Sequence, residues 1–195
     1  MVTTRSDLVA AARELAGELL GFDSERWRHT AGVAERAAEL APAVPADDLE
    51  LLVAGAWLHD IGYASTLRVT GFHPLDGADG LRDRGWEPRL CALVAHHSGA
   101  RFVAEDRGLG EELHRYAEER SALADALTYA DQTVGPDGRR MAFEDRIVDM
   151  LRRHGPNSPN ARVHPRRGPY LAAIAGRVRT RLAVDGAPPT GEVPS

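Results

Sequence analysis

The stretch Leu49-Glu-Leu-Leu-Val-Ala-Gly-Ala-Trp-Leu-His-Asp-Ile-Gly62 decides how the chain is read. A helix starting at Asp47 or Asp48 places Leu52, Ala56 and His59 on one stripe and Val53, Trp57 and Asp60 on the adjacent one. Such a helix is buried, and an imidazole and a carboxylate leave it together near its C-terminal end. The partial negative charge of the last carbonyls there favours a cation. Gly62 reads as the residue that closes the helix.

Outward from this stretch, apolar residues keep recurring at three- and four-residue intervals, while β-branched runs of period two are absent, so the chain is expected to be all-α. Helices are predicted over about 6–20, 24–41, 74–84, 88–97, 110–119, 121–132, 141–154 and 169–184. Ser24 is the N-cap of the second, and Pro42 and Pro45 stop it. Gly135-Pro-Asp-Gly138 is a turn signal, and the proline-rich 155–168 reads as a loop. Residues 1–184 are expected to form a single domain, with a motif core at 24–133, and the Pro/Gly-rich 185–195 a disordered tail.

A length of 195 residues, 27% charged and 43% hydrophobic, suits one globular domain. All 24 basic residues are arginine, which excludes Schiff-base chemistry and the lysine-dependent routes to ATP. The single cysteine, Cys91, permits neither an intramolecular disulfide nor a Cys-rich zinc site, so nitrogen and oxygen must hold any metal. The net charge of −5 is uneven, since Arg139 to Leu182 carries eleven arginines against three acids. With no aromatic residues interleaved, these arginines are expected to serve solvated helix faces, and nucleic acid is not an expected partner. The first Ala/Leu pattern is broken by Arg13, Glu14 and Glu18, unlike a signal peptide, and no stretch approaches the roughly 20 apolar residues of a membrane span. A cytoplasmic location follows as the expectation.

Of eight histidines, His29, His59, His73, His96 and His97 lie at helix ends or starts within the apolar middle of the chain. Asp131 continues the apolar stripe of Leu123 and Leu127; burying it costs several kcal/mol unless it is paired or bound to a cation. Arg36 shares a helix face with His29, which sets a guanidinium suited to bidentate phosphate contact near an imidazole. Imidazole and carboxylate are the usual donors to zinc, iron, manganese or nickel, and gathering them from several helices makes an open site inside a bundle. His114, His154 and His164, among charged or loop residues, read as surface groups.

The order His29, His59-Asp60, Asp131, together with the string Ala56-Trp-Leu-His-Asp-Ile-Gly62, resembles the HD-domain superfamily of metal-dependent phosphohydrolases over residues 24–133. Phe72-His-Pro-Leu-Asp-Gly-Ala78 and Val94-Ala-His-His-Ser98 resemble the histidine segments of its binuclear members. The resemblance implies an all-α HD-domain helical bundle with the metal site in its core. It also implies one or two divalent transition ions (Fe, Mn, Zn, Co or Ni). His29, His59, Asp60 and Asp131 would hold one, and Asp60 would bridge to a second held by His73, His96 and His97. His73 follows Asp60 by only thirteen positions, which is short for the family. Of the adjacent histidines, His97 continues the Leu90, Leu93, Val94 stripe and points inward, whereas His96 is turned toward substrate or solvent.

The implied activity is hydrolysis of a phosphate ester or anhydride of a nucleotide or related small metabolite. A metal-activated hydroxide would act, with His59 and Asp60 at the catalytic centre and Arg36 and Arg101 neutralising phosphate oxygens, chemistry that needs no lysine. The Ser-Gly-Ala that follows His97 lacks the Gly-Tyr-Pro-type motif of cyclic-dinucleotide hydrolases. An HD-fold di-iron oxygenase is the alternative, though such enzymes often recruit a lysine at the substrate. A non-catalytic nucleotide-binding regulatory domain is the second alternative, though its usual mark, a missing ligand, is not seen. The expected partner is a phosphorylated small molecule, without a membrane.

Overall fold

A computed structural model describes the backbone of residues 5–185 and the side chains of 8–184; of the tail expected at 185–195, Asp185 ends the last helix and the rest lies outside the described residues. The described residues are helical and contain no strand, only an isolated antiparallel bridge between Val134 and Arg140. The helices are α1 (Arg5–Leu20), α2 (Glu25–Glu39), α3 (Leu49–Leu58), α4 (His73–Arg82), α5 (Pro88–His96), α6 (Ala100–Asp106), α7 (Gly110–Leu113), α8 (Ala122–Asp131), α9 (Phe143–His154) and α10 (Pro159–Asp185). Short 3-10 turns at Ile61–Tyr63 and His97–Gly99 follow α3 and α5. No helix among the described residues is long and apolar enough to cross a membrane.

Helix α3 is apolar nearly all round and is therefore interior. Leu52, Ala54, Ala56 and Leu58 are fully buried, and it packs against α1, α2, α5 and α8. Ser24 caps α2 by accepting from the Trp27 amide at 2.9 Å, and Ser121 caps α8 by accepting from the Ala124 amide at 3.1 Å. These caps fix where α2 and α8 begin, and so which of their residues face α3.

Gly62 has a different task from closing a helix. Helix α3 has already ended at Leu58, and Gly62 sits in the following 3-10 turn, where a Cβ would lie 2.0 Å from the His73 carbonyl oxygen and 2.6 Å from the Gly77 amide nitrogen. The absent side chain lets α4 press onto the His59-Asp60 turn, which is how so short a connection brings His73 to Asp60. The intervening loop is pinned by Asp76, which accepts from the Thr70 amide at 2.8 Å, the Thr70 hydroxyl at 2.7 Å and the Gly71 amide at 2.9 Å.

The proline-rich segment 155–168 is not the expected loop. Helix α10 starts at Pro159 and continues through Pro165 and Pro169. Ser158 accepts from the Ala161 amide at 3.2 Å, and Arg162 makes a two-pronged contact to Asp106 at 2.6 and 3.0 Å. Arg166 pairs with Glu105 at 3.1 Å. Tertiary anchors thus offset the lost amide donors that sequence reasoning weighs against such a helix. Conversely, the helix expected over 110–119 stops at Leu113, and the Tyr116 hydroxyl donates to Asp79 at 2.6 Å.

Candidate metal centre

At one end of α3, six side chains converge. His29 comes from the buried face of α2, His59 and Asp60 from the end of α3, His73 from the first residue of α4, His97 from the turn after α5 and Asp131 from the last residue of α8. His29 Nε2 lies 3.2 Å from Asp131 Oδ1 and 3.7 Å from Asp60 Oδ2. His59 Nε2 lies 3.5 Å from Asp60 Oδ2 and 3.9 Å from Asp131 Oδ1. On the other side of the same carboxylate, Asp60 Oδ1 is 3.2 Å from His73 Nε2 and 4.0 Å from His97 Nε2, and the two imidazole nitrogens are 3.3 Å apart. His29, His59 and Asp131 form one group able to hold an ion, and Asp60, His73 and His97 a second. The two oxygens of Asp60 face one group each.

The imidazoles are turned the way donors to a cation are turned. His29 Nδ1 meets the Gly135 carbonyl at 2.9 Å, His59 Nδ1 that of Ala56 at 2.7 Å and His97 Nδ1 that of Val94 at 2.6 Å. A backbone carbonyl can only accept, so each Nδ1 carries the proton and each Nε2 presents a lone pair to the centre. His59 Nε2, fully buried, has no hydrogen-bond partner. Asp131 is oriented similarly: Ser98 Oγ and Gln132 Nε2 (2.8 Å) both donate to its Oδ2, leaving Oδ1 toward His29 and His59.

Burial pushes the His59 and His73 imidazoles below their ordinary value despite the nearby Asp60, so both are neutral at pH 7. Burial alone would raise the Asp60 carboxyl, but His59 and Arg26 outweigh it and hold it well below the usual carboxylate range. Arg26 supplies the permanent charge, donating from Nη1 to Asp60 Oδ2 at 2.6 Å. Asp131 is also held low: burial opposes ionisation, and the closeness of His29, His59 and the Arg146 guanidinium overcomes it.

Three expected site residues are elsewhere. His96 Nε2 donates to the Tyr116 carbonyl at 2.8 Å, on the opposite side of the chain turn from His97, so it is not among the converging donors. Arg36 pairs with Glu39 at 2.8 Å and lies over the Tyr129 ring. It follows His29 by two helical turns, about 10 Å along the axis, so a shared face does not bring it to a shared site. Arg101 pairs with Glu118 and stacks on Tyr170, 4.5 Å from the ring centroid, lining a separate groove of about 450 Å³.

The guanidinium groups near the centre are Arg26, Arg146, Arg153 and Arg167, which line a cavity of about 100 Å³ above the His/Asp cluster together with Tyr63, Gln132 and Asn160. Arg26 is one turn before His29 on the same face and was legible from that spacing. Arg146 and Arg153 come from α9, and Arg167 from the stretch read as a loop, so no sequence signal tied them to the site. His154, expected at the surface, stands at the mouth of this cavity. Tyr63 covers His73, their rings stacked 4.1 Å apart at 17°, and Arg26 lies over the other side of the phenol at 4.0 Å. Burial and the Asp60 charge push the Tyr63 hydroxyl up to about 12.

The HD domain profile matches residues 26–135, more than half of the chain. The chain is 33% identical over 128 residues to a tRNA (cytidine(56)-2'-O)-methyltransferase of Thermoplasma volcanium, covering 65% of this chain and 36% of that protein. It is 32% identical over 111 residues to the protein of the same name from Picrophilus torridus, covering 56% and 31%. An uncharacterized protein of Methanocaldococcus jannaschii is 33% identical over 129 residues, which cover 61% of this chain and 75% of that one. The chain thus spans about a third of the length of the two methyltransferases it matches. No solved structure matches it. The profile match and the converging His/Asp residues lead to one conclusion: the chain belongs to the HD domain family.

Proposed function

We propose that the chain is a metal-dependent hydrolase of a phosphate ester or anhydride, acting on a small phosphorylated metabolite. The observation that carries this reading is the convergence of four imidazole Nε2 atoms and two ionised carboxylates in two groups able to hold an ion, under a wall of arginines. A buried lone pair without a partner, as at His59 Nε2, is costly unless a ligand takes it. Nitrogen and oxygen donors in this mixture suit Fe, Mn, Zn, Co or Ni. His29, His59 and Asp131 would hold one ion, His73 and His97 a second, and Asp60 would give one oxygen to each. When bound, such ions lower the pKa of water and polarise the phosphoryl group.

The protein's own residues do the remaining work. The carbonyls of Gly135, Ala56 and Val94 fix the tautomers of His29, His59 and His97. Ser98 and Gln132 fix the direction of Asp131. Arg26, Arg146, Arg153 and Arg167 neutralise phosphate oxygens in place of the expected Arg36 and Arg101. Methyl transfer, the activity named for the two longer relatives, draws no support from these groups, which are metal donors and cations. The test is phosphate release from a panel of phosphorylated metabolites by protein loaded separately with Mn²⁺, Fe²⁺, Co²⁺, Ni²⁺ and Zn²⁺, with oxygen uptake followed in parallel. Metal-dependent phosphate release without oxygen uptake is expected; turnover that consumes oxygen would point to an oxygenase instead.

A further inference from the structure

We infer that the cavity takes a terminal, dianionic phosphate, so that the chain acts on small phosphomonoesters in preference to phosphodiesters; this rests on the phosphohydrolase reading above. The first support is charge. Of the four arginines that face the cavity, Arg26 is answered by Asp60 and Arg153 by Asp149 at 3.2 Å and Glu25 at 3.7 Å, which leaves as its two buried cations Arg146, no closer than 3.9 Å to Asp131, and Arg167, whose bonds go to neutral oxygens. A monoester brings two negative charges near neutral pH, and a diester brings one.

The second support is unmet hydrogen bonding. Arg146 is 7% exposed; its Nε donates to the Val134 carbonyl at 2.8 Å and its Nη2 approaches Asp131 Oδ1 at 3.9 Å, but its buried Nη1 has no partner. Arg167, equally buried, is held by the Ser98 carbonyl at 2.8 Å and Asn160 Oδ1 at 2.7 Å, which aims the guanidinium without neutralising it. An unpaired donor on a buried cation is costly, and an anionic oxygen relieves that cost. The third support is size. About 100 Å³ is well below the roughly 300–1,000 Å³ of ordinary small-molecule pockets, so the phosphate goes inside and its alcohol stays at the mouth beside Tyr63, Arg153 and His154. A diester would have to seat a second organic substituent beside the phosphate in the same space of about 100 Å³.

In the reaction, the oxygen of water bonds to phosphorus, the P–O bond to the alcohol breaks, and the alcohol leaves with a proton, giving inorganic phosphate. Three of the four arginines come from α9 and α10, beyond the residues that match the HD profile, so the preference is supplied by the C-terminal helices rather than the metal-binding core.

The test uses the full chain loaded with Mn²⁺. Calorimetry compares inorganic phosphate with dimethyl phosphate, and rates compare p-nitrophenyl phosphate with bis(p-nitrophenyl) phosphate. Phosphate is expected to bind at least about tenfold tighter than dimethyl phosphate, and the monoester to exceed the diester about 100-fold in kcat/KM. Arg153→Gln, a half-exposed position where folding is not at stake, is expected to weaken phosphate binding about tenfold. Equal binding of the two anions, or equal turnover of the two esters, overturns the inference and leaves the hydrolase reading standing. Tight phosphate binding that Arg153→Gln weakens, with neither ester hydrolysed, upholds the anion class and overturns the hydrolase reading.

Discussion

His59 has no exposure and no partner for Nε2, and burial keeps it and His73 from taking a proton at neutral pH. The unfolded chain titrates both near pH 6.5, so below that value it binds protons that the folded chain refuses, and stability rises with pH. The metal-free protein is therefore expected to lose about 1–3 kcal/mol between pH 7.5 and 5.5, read as a lower urea midpoint. Asp60 and Asp131, held low, withdraw their stabilisation only at more acidic pH. An unchanged midpoint at pH 5.5 would contradict the assignment of neutral, buried imidazoles. The adjacent histidines give a second prediction: His97→Gln lowers metal content, whereas His96→Gln leaves it unchanged, as elemental analysis reads. His59, Asp60, His97 and Asp131 were legible as extensions of apolar helical stripes, whereas His29, inside α2, and His73 were tied to them by the family resemblance. His96 was drawn into the set by its neighbour alone, and its side chain turns the other way, to the Tyr116 carbonyl.

At the scale of elements, the place where α4 crosses the turn after α3 sets the second half of the centre. Gly62→Ala would thrust a Cβ within 2.0 Å of the His73 carbonyl, backbone against backbone, so α4 must move away. A loss of about 2–3 kcal/mol in urea unfolding is expected. The displaced His73 is expected to cost the ion beside it before the ion beside His29; unchanged stability would show that the close approach is not needed. The sequence pattern gave the helices of the core but not this contact, because a glycine required by a neighbouring backbone looks identical to one that ends a helix. The start of α10, 159–168, was hidden for the opposite reason, while its remainder was predicted. Its prolines argue locally for a loop, and the helix persists because Val163, Leu171 and Ile174 are buried where it packs on α6 and α8, with Arg162 and Arg166 paired to acids on α6.

Over the whole molecule, the arginine excess between Arg139 and Leu182 is largely answered by acids from elsewhere in the fold. Arg140 pairs with Glu39, Arg162 with Asp106, Arg166 with Glu105, and Arg177 and Arg181 with Asp125. What sequence shows as a basic segment is therefore folded into mixed-sign contacts, and Arg146, Arg153 and Arg167 are the arginines of this segment that line the cavity. Little retention on a short RNA or DNA duplex at physiological salt is the expected outcome of a mobility-shift assay, and tight, salt-dependent binding would contradict it.

Asp60 and the five side chains around it hold divalent metal for hydrolysis if the metal content of the purified wild-type protein exceeds that of Asp60→Ala, each checked for helicity by circular dichroism. One to two transition ions per wild-type chain are expected, with loss of metal in a still-helical Asp60→Ala and at least about 10³-fold lower phosphate release by the variant, the scale of removing a principal stabilising group from an active site. A wild-type protein that takes up no metal, or an Asp60→Ala variant that keeps its metal and hydrolyses as fast as the parent, would contradict this expectation.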